Sequence, residues 1–214
     1  MEQQGKKVPE VVVARLPRYY RYLGNLLKQD ITRISSGALS KKMNVTASQI
    51  RQDFNYFGGF GQQGYGYNVK YLHDEIGKIL GIDSCHNMIV VGGGNMGHAL
   101  SNYTAFERNG FKIKGIFDVN PALIGKKIRN IEIYSTEVLP EFIKKEKIEI
   151  AALTLPTAAA PQMADVLVSC GIKAIWNFAH TDLNVPKDVV VENVHLFDSL
   201  MRLSYNLSTY EKEN

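Results

Sequence analysis

The sequence has 214 residues, of which 45% are hydrophobic and 21% are charged, a composition that suits one or two globular domains and excludes fibrous or disordered classes. No apolar run approaches the ~20 residues of a membrane-spanning helix, and residues 1–7 lack the apolar stretch of a signal peptide. Cys85 and Cys170 are too far apart for a CxxC pair or a metal cage, so we expect a reducing, cytoplasmic setting.

Charge is unevenly distributed along the chain. Residues 1–80 carry 12 Lys and Arg against 6 Asp and Glu, whereas residues 81–214 carry 13 against 15. All of the net charge of +4 therefore comes from the first third. A basic segment joined to a mildly acidic one favours a module that faces nucleic acid, although six excess charges could also arise by chance.

The chain begins with a predicted helix that is interrupted. Pro9 suits a first helical turn, and apolar residues then recur with helical spacing. This stripe consists of Leu16, Tyr20, Leu23 and Leu27. Because proline removes a backbone donor and clashes with the preceding turn, Pro17 predicts a kink or a break.

Two short helices are predicted next, with a tight connection between them. Ser35 and Ser36 are candidate N-caps of the first helix, and Asn44 is a plausible stop. Thr46 and Gln49 then have the spacing of a capping box, which starts a second helix at once. Two helices joined in this way form a helix-turn-helix pattern.

The second helix, predicted from Ala47 to about Phe57, has an apolar face and a polar one. Its polar residues are of the types that contact base edges and phosphates in a major groove. They are Ser48, Gln49, Arg51, Gln52, Asn55 and Tyr56. Residues 58–69, GGFGQQGYGYNV, then favour a tight β-ribbon, or wing, beside the DNA. An ordinary helical hairpin with a flexible glycine loop is the alternative.

From about Asn87 the pattern changes to alternating strands and helices. Predicted strands cover residues 88–91, 112–118, 148–155 and 172–178, and predicted helices follow the first strand and cover residues 140–147 and 158–170. Such βαβ alternation predicts an α/β unit with a parallel sheet.

A glycine motif lies where the first of these strands meets its helix. Gly92, Gly94 and Gly97 form G-x-G-x-x-G, and Asp118 ends the next strand 21 residues after Gly97. The glycines permit a tight turn and close approach of a pyrophosphate, and the acidic residue binds the ribose. Asp118 favours NAD(H) over NADP(H), because a 2′-phosphate would meet a negative charge. A Rossmann-like unit with an empty site is the alternative.

A dehydrogenase would also need a proton-transfer group beside the nicotinamide. The candidates are His98, His180 with Asp182, and Tyr103, and they form no recognisable catalytic constellation. Few residues follow the sheet to build a substrate domain. We therefore expect a cofactor that is sensed rather than used.

The last segment predicts a helix from about His195 to Tyr210. Its apolar residues cover more than half of the circumference: Leu196, Leu200, Leu203 and Leu207 in one seam, and Phe197, Met201 and Tyr205 beside it. Such a helix needs more than one packing surface. Its own domain, a second subunit or the gap between two domains could supply it.

Six segments, in this order, resemble one known family. They are VPEVVVARLPRYYRYL, SQIRQDFNYFGGFG, GYGYNV, VVGGGNMGHAL, FDVNP and IWNFA. Over nearly its whole length the chain is similar to the Rex family of bacterial redox-sensing transcriptional repressors. The combined pattern is far more specific than any one of the motifs.

The resemblance implies an α/β protein with a winged-helix domain (1–80), a Rossmann domain that binds NADH and NAD+ (81–194) and a C-terminal dimerisation helix (195–214). It implies a homodimer in which the C-terminal helices are swapped between subunits. It also implies a repressor, not an enzyme, that binds palindromic operator DNA and is released by NADH.

The resemblance also implies residue roles. The expected dinucleotide site consists of Gly92, Gly93, Gly94, Asn95, Met96, Gly97 and Asp118, with Tyr103 as a residue that changes environment between ligand states. The expected nicotinamide pocket consists of Pro156, Thr157, Asn177, Phe178 and Ala179. Besides the polar face of the second helix, the candidate DNA contacts are Arg15, Ser36, Thr46, Gly59, Phe60 and Gly61.

Four positions depart from the family pattern. The family pairs an arginine of the first helix, here Arg15 or Arg21, with an aspartate of the ligand domain, and that position is His195 in this chain. Arg21 and His195 are the candidate switch residues, but a simple arginine–carboxylate pair is in doubt. Gln52 and Gln62-Gln63 replace residues that are often basic, which implies fewer phosphate contacts and a shifted operator preference.

Overall fold

The computed structural model describes residues 8–57, 61–62 and 65–213. The chain divides between Asp83 and Ser84 into two compact units.

The helices of the N-terminal unit are α1 (Glu10–Val13), α2 (Leu16–Leu27), α3 (Ser36–Met43), α4 (Ala47–Asn55) and α5 (Val69–Ile79). The predicted interruption is present, between Val13 and Leu16. Pro17 lies in the first turn of α2, where its missing N–H has no helical partner to lose. Pro9 immediately precedes α1 instead of lying within it.

The buried face of α2 differs by one position from the predicted stripe. It consists of Leu16, Tyr19, Leu23 and Leu26. Tyr20 and Leu27, which belong to the predicted stripe, are only partly buried and pack against this core. The spacing i, i+3, i+7, i+10 fits the 3.6-residue period as well as the predicted one, and sequence alone does not choose between the two.

The connection between α3 and α4 is built as the sequence predicts. The Ser35 hydroxyl accepts a hydrogen bond from the Ala38 N–H at 3.0 Å, and Asn44 ends α3 in the left-handed region with φ 52°. The Thr46 hydroxyl then accepts from the Gln49 N–H at 3.1 Å and begins α4. The reciprocal half of the capping box is replaced, since the Gln49 side chain donates to Asp53.

A small antiparallel sheet of strand order β1-β3-β2 completes this unit, with β1 (Arg33–Ile34), β2 (Gly61–Gln62) and β3 (Gly66–Asn68). The pairing of β2 with β3 is the predicted ribbon. Gly66 is required in it, because φ is 69° and a Cβ there would lie 2.6 Å from the Ile34 carbonyl oxygen.

The C-terminal unit is built on one larger sheet. Its strands are β4 (His86–Val91), β5 (Phe111–Asp118), β6 (Lys127–Ile128), β7 (Ile131–Ser135), β8 (Ile150–Leu153), β9 (Ala174–Asn177) and β10 (Val190–Asn193). Their order is β10-β9-β8-β4-β5-β7-β6, and every pairing is parallel except that of β6 with β7. The α/β prediction is confirmed, although β6, β7 and β10 were not predicted.

Helices connect these strands and cover both faces of the sheet. They are α6 (Asn95–Asn102), α7 (Ala105–Arg108), α8 (Leu139–Glu146), which follows a 3₁₀ turn at Thr136–Val138, and α9 (Ala160–Ser169). Successive residues of β4 alternate between two apolar clusters, with Ile89 and Val91 in one and Met88 and Val90 in the other. This alternation explains why β4 is a continuous apolar run.

The chain ends in α10 (Leu196–Glu213), whose apolar residues are exposed. Its seam residues Leu196, Leu200, Leu203 and Leu207 are each more than half exposed, and so are Phe197, Tyr205 and Tyr210. The alternative in which the helix is covered by its own domain is therefore wrong for the described residues. Among these same residues, no helix is both long and apolar enough to cross a membrane.

Candidate dinucleotide crevice and nucleic-acid interface

The glycine-rich turn joins the end of β4 to the start of α6. Gly92 has φ 108°, and a Cβ there would lie 2.6 Å from the Thr154 carbonyl oxygen. A Cβ at Gly97 would overlap the carbonyl oxygen of Gly92, so α6 and the turn approach each other closely. The space around Gly94, the N-cap of α6, is open. This cradle fits a pyrophosphate, which an exposed helix N-terminus attracts.

Asp118 lies beside this turn at the end of β5. One carboxylate oxygen accepts a hydrogen bond from the Gly93 N–H at 2.6 Å, and the other accepts from the Asn120 N–H at 2.7 Å. Each carboxylate oxygen has two acceptor sites, so each can accept a further hydrogen bond. Asp118 therefore has acceptor capacity beside the glycine-rich turn, which fits the predicted ribose contact.

A cavity of about 550 Å³ connects these features. Its wall includes Gly92 after β4, Asp118 at the end of β5 and Thr154 after β8, with Pro156 and Met163 farther along. β4 lies between β5 and β8, so the cavity opens where the strand order reverses. Open α/β sheets bind their ligands at such a point, and the volume is in the usual range for ligand pockets.

The predicted nicotinamide residues are only partly brought to this cavity. Pro156 lines it, whereas Asn177, Phe178 and Ala179 are not among its described lining residues. The buried Asn177 amide donates to the Thr181 carbonyl and to the Asn193 side chain, both at 2.8 Å, and its oxygen accepts from the Ala179 N–H. Asn177 thus shapes the loop after β9.

The other predicted ligand residues are not among the described residues that line the cavity. Asn95 is exposed and Met96 partly buried in the first turn of α6, and Thr157 is exposed after β8. Tyr103 ends α6 and is 59% exposed, with its ring edge-on to Phe106 at a centroid distance of 4.9 Å.

The candidate catalytic histidines have other neighbours. The His98 ring contacts the Asn102 amide at 2.9 Å on the surface of α6. His180 stacks on His195, with ring centroids 5.2 Å apart and an interplanar angle of 13°. Neither His98 nor His180 is among the described residues that line the cavity.

In the N-terminal unit, α4 presents a polar face to solvent. Its exposed side chains are Ser48, Arg51, Gln52, Asn55 and Tyr56. The Arg51 guanidinium donates to the Ser36 hydroxyl at 3.1 Å, so the two helices of the helix-turn-helix contribute to one polar surface. Thr46 lies exposed at its edge. Gly61 is in β2, and the predicted contacts Gly59 and Phe60 lie outside the described residues.

Arg15 and Gln49, two further candidate DNA contacts, are directed elsewhere. Both donate to Asp53, a fully buried carboxylate on α4. The Tyr19 hydroxyl donates to the same carboxylate at 2.7 Å. Sequence reasoning missed Asp53, although its position between Ile50 and Phe54 on the apolar face was a visible signal.

Electrostatics in this cluster follow from its geometry. Burial opposes the charge of Asp53, but the hydrogen bonds from Arg15, Tyr19 and Gln49 outweigh it and hold the pKa of Asp53 below its ordinary value. The hydrogen bond with Asp53 raises the pKa of Arg15. Burial, together with the hydrogen bond to Asp53, raises the pKa of Tyr19. The cluster is therefore a carboxylate–guanidinium ion pair with a neutral phenol at neutral pH.

The candidate switch residues, Arg21 and His195, lie in different units of the chain. Arg21 is exposed on α2. His195 directly precedes α10, and its Nδ1 is buried with no hydrogen-bond partner in the described structure.

Family models match both halves of the chain. Residues 7–55 match the model described as "Putative DNA-binding protein N-terminus", and residues 83–181 match the "CoA binding domain". The fold and site thus define a protein that joins a winged-helix DNA-binding domain to a Rossmann-type domain.

Relatives of the same length give the particular family. The chain is 58% identical to the redox-sensing transcriptional repressor Rex of Thermoanaerobacter pseudethanolicus, over 96% of this chain and 92% of that protein. It is 55% identical to Rex of Clostridioides difficile, over 94% and 95%. The chain belongs to the Rex family.

Solved structures agree with this assignment. The chain is similar to the Rex-family repressor RSP in a crystal structure described as a complex with β-NAD+ and operator DNA, with a TM-score of 0.91, 56% identity and coverage of 97% of this chain and 95% of that one. A structure of RSP in complex with β-NADH matches with a TM-score of 0.89, 54% identity and 97% coverage of both chains.

Proposed function

We propose that this chain is a DNA-binding transcriptional repressor that senses the cellular NADH/NAD+ ratio, binds palindromic operators and is released by NADH. One observation carries the proposal: a single chain contains both a Rossmann crevice with an acidic ribose position and a helix-turn-helix with an exposed polar face. RSP, which contains the same two domains, is described in complexes with β-NAD+ and operator DNA and with β-NADH.

The chain regulates and is not an enzyme. Its close relatives are named transcriptional repressors, which supports this conclusion over the alternative of an NAD-dependent oxidoreductase.

In the crevice, backbone N–H groups and one carboxylate bind the dinucleotide. The N–H groups at the start of α6 receive the pyrophosphate, and Asp118, fixed by Gly93 and Asn120, accepts from the ribose hydroxyls. A 2′-phosphate would bring a second negative charge against Asp118, so the site selects NAD(H) over NADP(H).

Discrimination between the two redox forms depends on the nicotinamide end. When bound, the cofactor supplies a ring that is cationic if oxidised and neutral if reduced. Pro156, and by the family pattern Phe178 and Ala179, offer that ring apolar surface, with Thr157 and Asn177 beside it. Desolvation disfavours an unpaired cation there, so NADH binds more tightly.

Two copies of the chain form the DNA-binding unit. The exposed apolar face of α10 supports a homodimer in which each α10 packs on the second subunit. A symmetric dimer presents two α4 helices to two half-sites, so the operator is an inverted repeat. Arg51, Gln52, Asn55 and Tyr56 provide base and phosphate contacts. The cytoplasm is the proposed location.

A mobility-shift assay tests this function. The probe is a duplex that the wild-type chain enriches from a random pool, hereafter the enriched duplex. The expected result is a complex that persists in NAD+ and is lost in NADH. The proposal would be contradicted if the wild-type chain enriched no duplex from the random pool. It would also be contradicted if the chain turned over NADH with aldehydes or 2-oxo acids.

A further inference from the structure

The buried carboxylate of Asp53 is the polar anchor of α4, the helix that carries the proposed DNA-reading residues. It accepts four hydrogen bonds from described residues: Arg15 Nε at 2.7 Å, Arg15 Nη2 at 2.7 Å, Tyr19 Oη at 2.7 Å and Gln49 Nε2 at 2.9 Å. These four fill the acceptor sites of a carboxylate. Nothing remains on Asp53 to contact DNA.

The other anchors of α4 are apolar. Ile50 and Phe54 are buried on the same side, and the Phe54 ring lies edge-on to Tyr19 and Tyr67 at centroid distances of 5.0 Å and 5.2 Å. Apolar contacts depend less on angle than hydrogen bonds do, so they tolerate small rotations of α4. A planar guanidinium fork on a carboxylate is directional.

That rotation determines where the opposite face of α4 points. Arg51, Gln52 and Asn55 lie on the exposed side of the helix. Their tips lie about 6 Å from the helix axis, so a rotation of roughly 10° moves them by about 1 Å. A shift of that size takes a good hydrogen bond out of its distance range.

We propose that Arg15 is a positioning residue that sets the rotation of α4 through Asp53, and that this pair determines DNA sequence selectivity without touching DNA. Gln49 assists from within α4 by donating to the same carboxylate. The inference rests on the proposed DNA-binding function and deepens it. Under this proposal, Arg15 and Gln49 do not contact DNA. They support α4, the helix that makes the DNA contacts.

A direct phosphate contact is the competing role for Arg15, whose side chain is 27% exposed. The two roles differ in their dependence on salt and sequence. Loss of one phosphate contact weakens all duplexes alike and reduces the slope of log K against log salt by about 0.9. Loss of a positioning residue weakens the enriched duplex selectively and leaves the slope on a scrambled duplex unchanged.

The experiment compares Asp53→Asn and Arg15→Lys with wild type in the full-length chain, on the enriched duplex and on a scrambled duplex of equal length. We expect at least a tenfold loss on the enriched duplex and less than a twofold change on the scrambled one. The direction of the change in affinity is informative. Asp53→Asn removes a negative charge, so electrostatics alone would tighten binding to both duplexes.

Two features of the design separate positioning from a loss of folding. Arg15→Lys keeps the charge and removes only the fork, so it carries the test if Asp53→Asn unfolds the domain, and near-ultraviolet circular dichroism monitors folding in both. Asp30→Asn makes the same chemical change at an exposed position that already has a left-handed backbone, and it should match wild type.

The outcomes are distinguishable. Wild-type selectivity retained in both folded variants would overturn the positioning role and leave the repressor function standing. A third variant, Arg15→Gln, removes the charge, and uniform weakening of both duplexes by this variant in the folded state, with a smaller salt slope, would assign Arg15 to a phosphate instead. Failure of the wild-type chain to select any duplex would overturn the proposed function and this inference together.

Discussion

At the scale of the residue, Arg51 is the cationic side chain of α4, and we propose that it reads a base. It is exposed, and its contact with Ser36 holds it on the surface shared by α3 and α4. Replacing Arg51 by Ala should cost ~1–3 kcal/mol of operator binding if it contacts a guanine. Fluorescence anisotropy on the enriched duplex measures this cost. Arg18→Ala, an exposed change on α2, is the control, and an unchanged affinity in Arg51→Ala would remove α4 from the interface.

Asp118 supports a prediction about cofactor choice. If the carboxylate accepts from the ribose hydroxyls as we propose, Asp118→Ala should weaken NADH binding and narrow the preference for NADH over NADPH. Calorimetric titration with both cofactors measures the two effects. Asp188→Ala, which breaks an exposed ion pair with Lys173, should leave both affinities unchanged. Equal discrimination before and after the Asp118 change would place this carboxylate away from the ribose.

Asp53 makes the stability of the N-terminal domain depend on acid. Its pKa is held below the ordinary value in the folded chain, whereas the unfolded chain has a pKa of about 3.9. The pair therefore stabilises the fold above that pH, and this contribution is lost as the pH falls through the folded pKa. Calorimetry between pH 6 and pH 3 should show that acid lowers the free energy of unfolding less in Asp53→Asn than in wild type. Asp30→Asn should retain the wild-type loss, and identical pH profiles for wild type and Asp53→Asn would contradict the ion-pair account.

At the scale of the element, α10 has an apolar face whose described residues are exposed along its length. Deleting residues 196–214 should abolish dimerisation and operator binding together, because one α4 helix occupies only one half-site. Light scattering and anisotropy measure the two properties. The double variant Leu200→Ser and Leu203→Ser keeps the helix and should also weaken dimerisation and operator binding. Arg202→Ala should leave both properties unchanged. A dimer that persists after the deletion would refute this role of α10.

The elements differ in how far the sequence predicts them. β4, β5, β8 and β9 have apolar runs because both of their faces are covered, and the glycine motif and the Asn44 turn depend on local backbone rules. β10 lies at the edge of the sheet and is largely exposed, so it has no such run. The buried residues of α2 differ from the predicted apolar stripe at two positions, because two spacings fit the same helical period.

The site shows the same division between local and long-range effects. Asp118 follows from a fixed spacing after the glycines. Asp53, by contrast, is buried through a partner 38 residues away in sequence, Arg15, and no local pattern indicates that pairing. Asn177 also depends on a long-range contact. Its amide donates to the loop after β9 and to Asn193 in β10.

At the scale of the whole molecule, the central claim is that the redox state of one ring controls DNA binding. NAD+ and NADH share all phosphate and ribose contacts, so only the nicotinamide end can distinguish them. A ligand shifts an equilibrium only through its different affinities for two states. The state that releases DNA must therefore be the one that buries the reduced ring.

The most direct measurement records cofactor occupancy and DNA release in one titration. NADH is added to the preformed complex with the enriched duplex while NADH fluorescence reports the Rossmann site and anisotropy of a labelled duplex reports the DNA. We expect that release follows NADH occupancy, that NAD+ leaves the complex intact, and that NADPH requires far higher concentrations. If NADH saturates the crevice while the complex with DNA remains intact, the sensor mechanism is wrong.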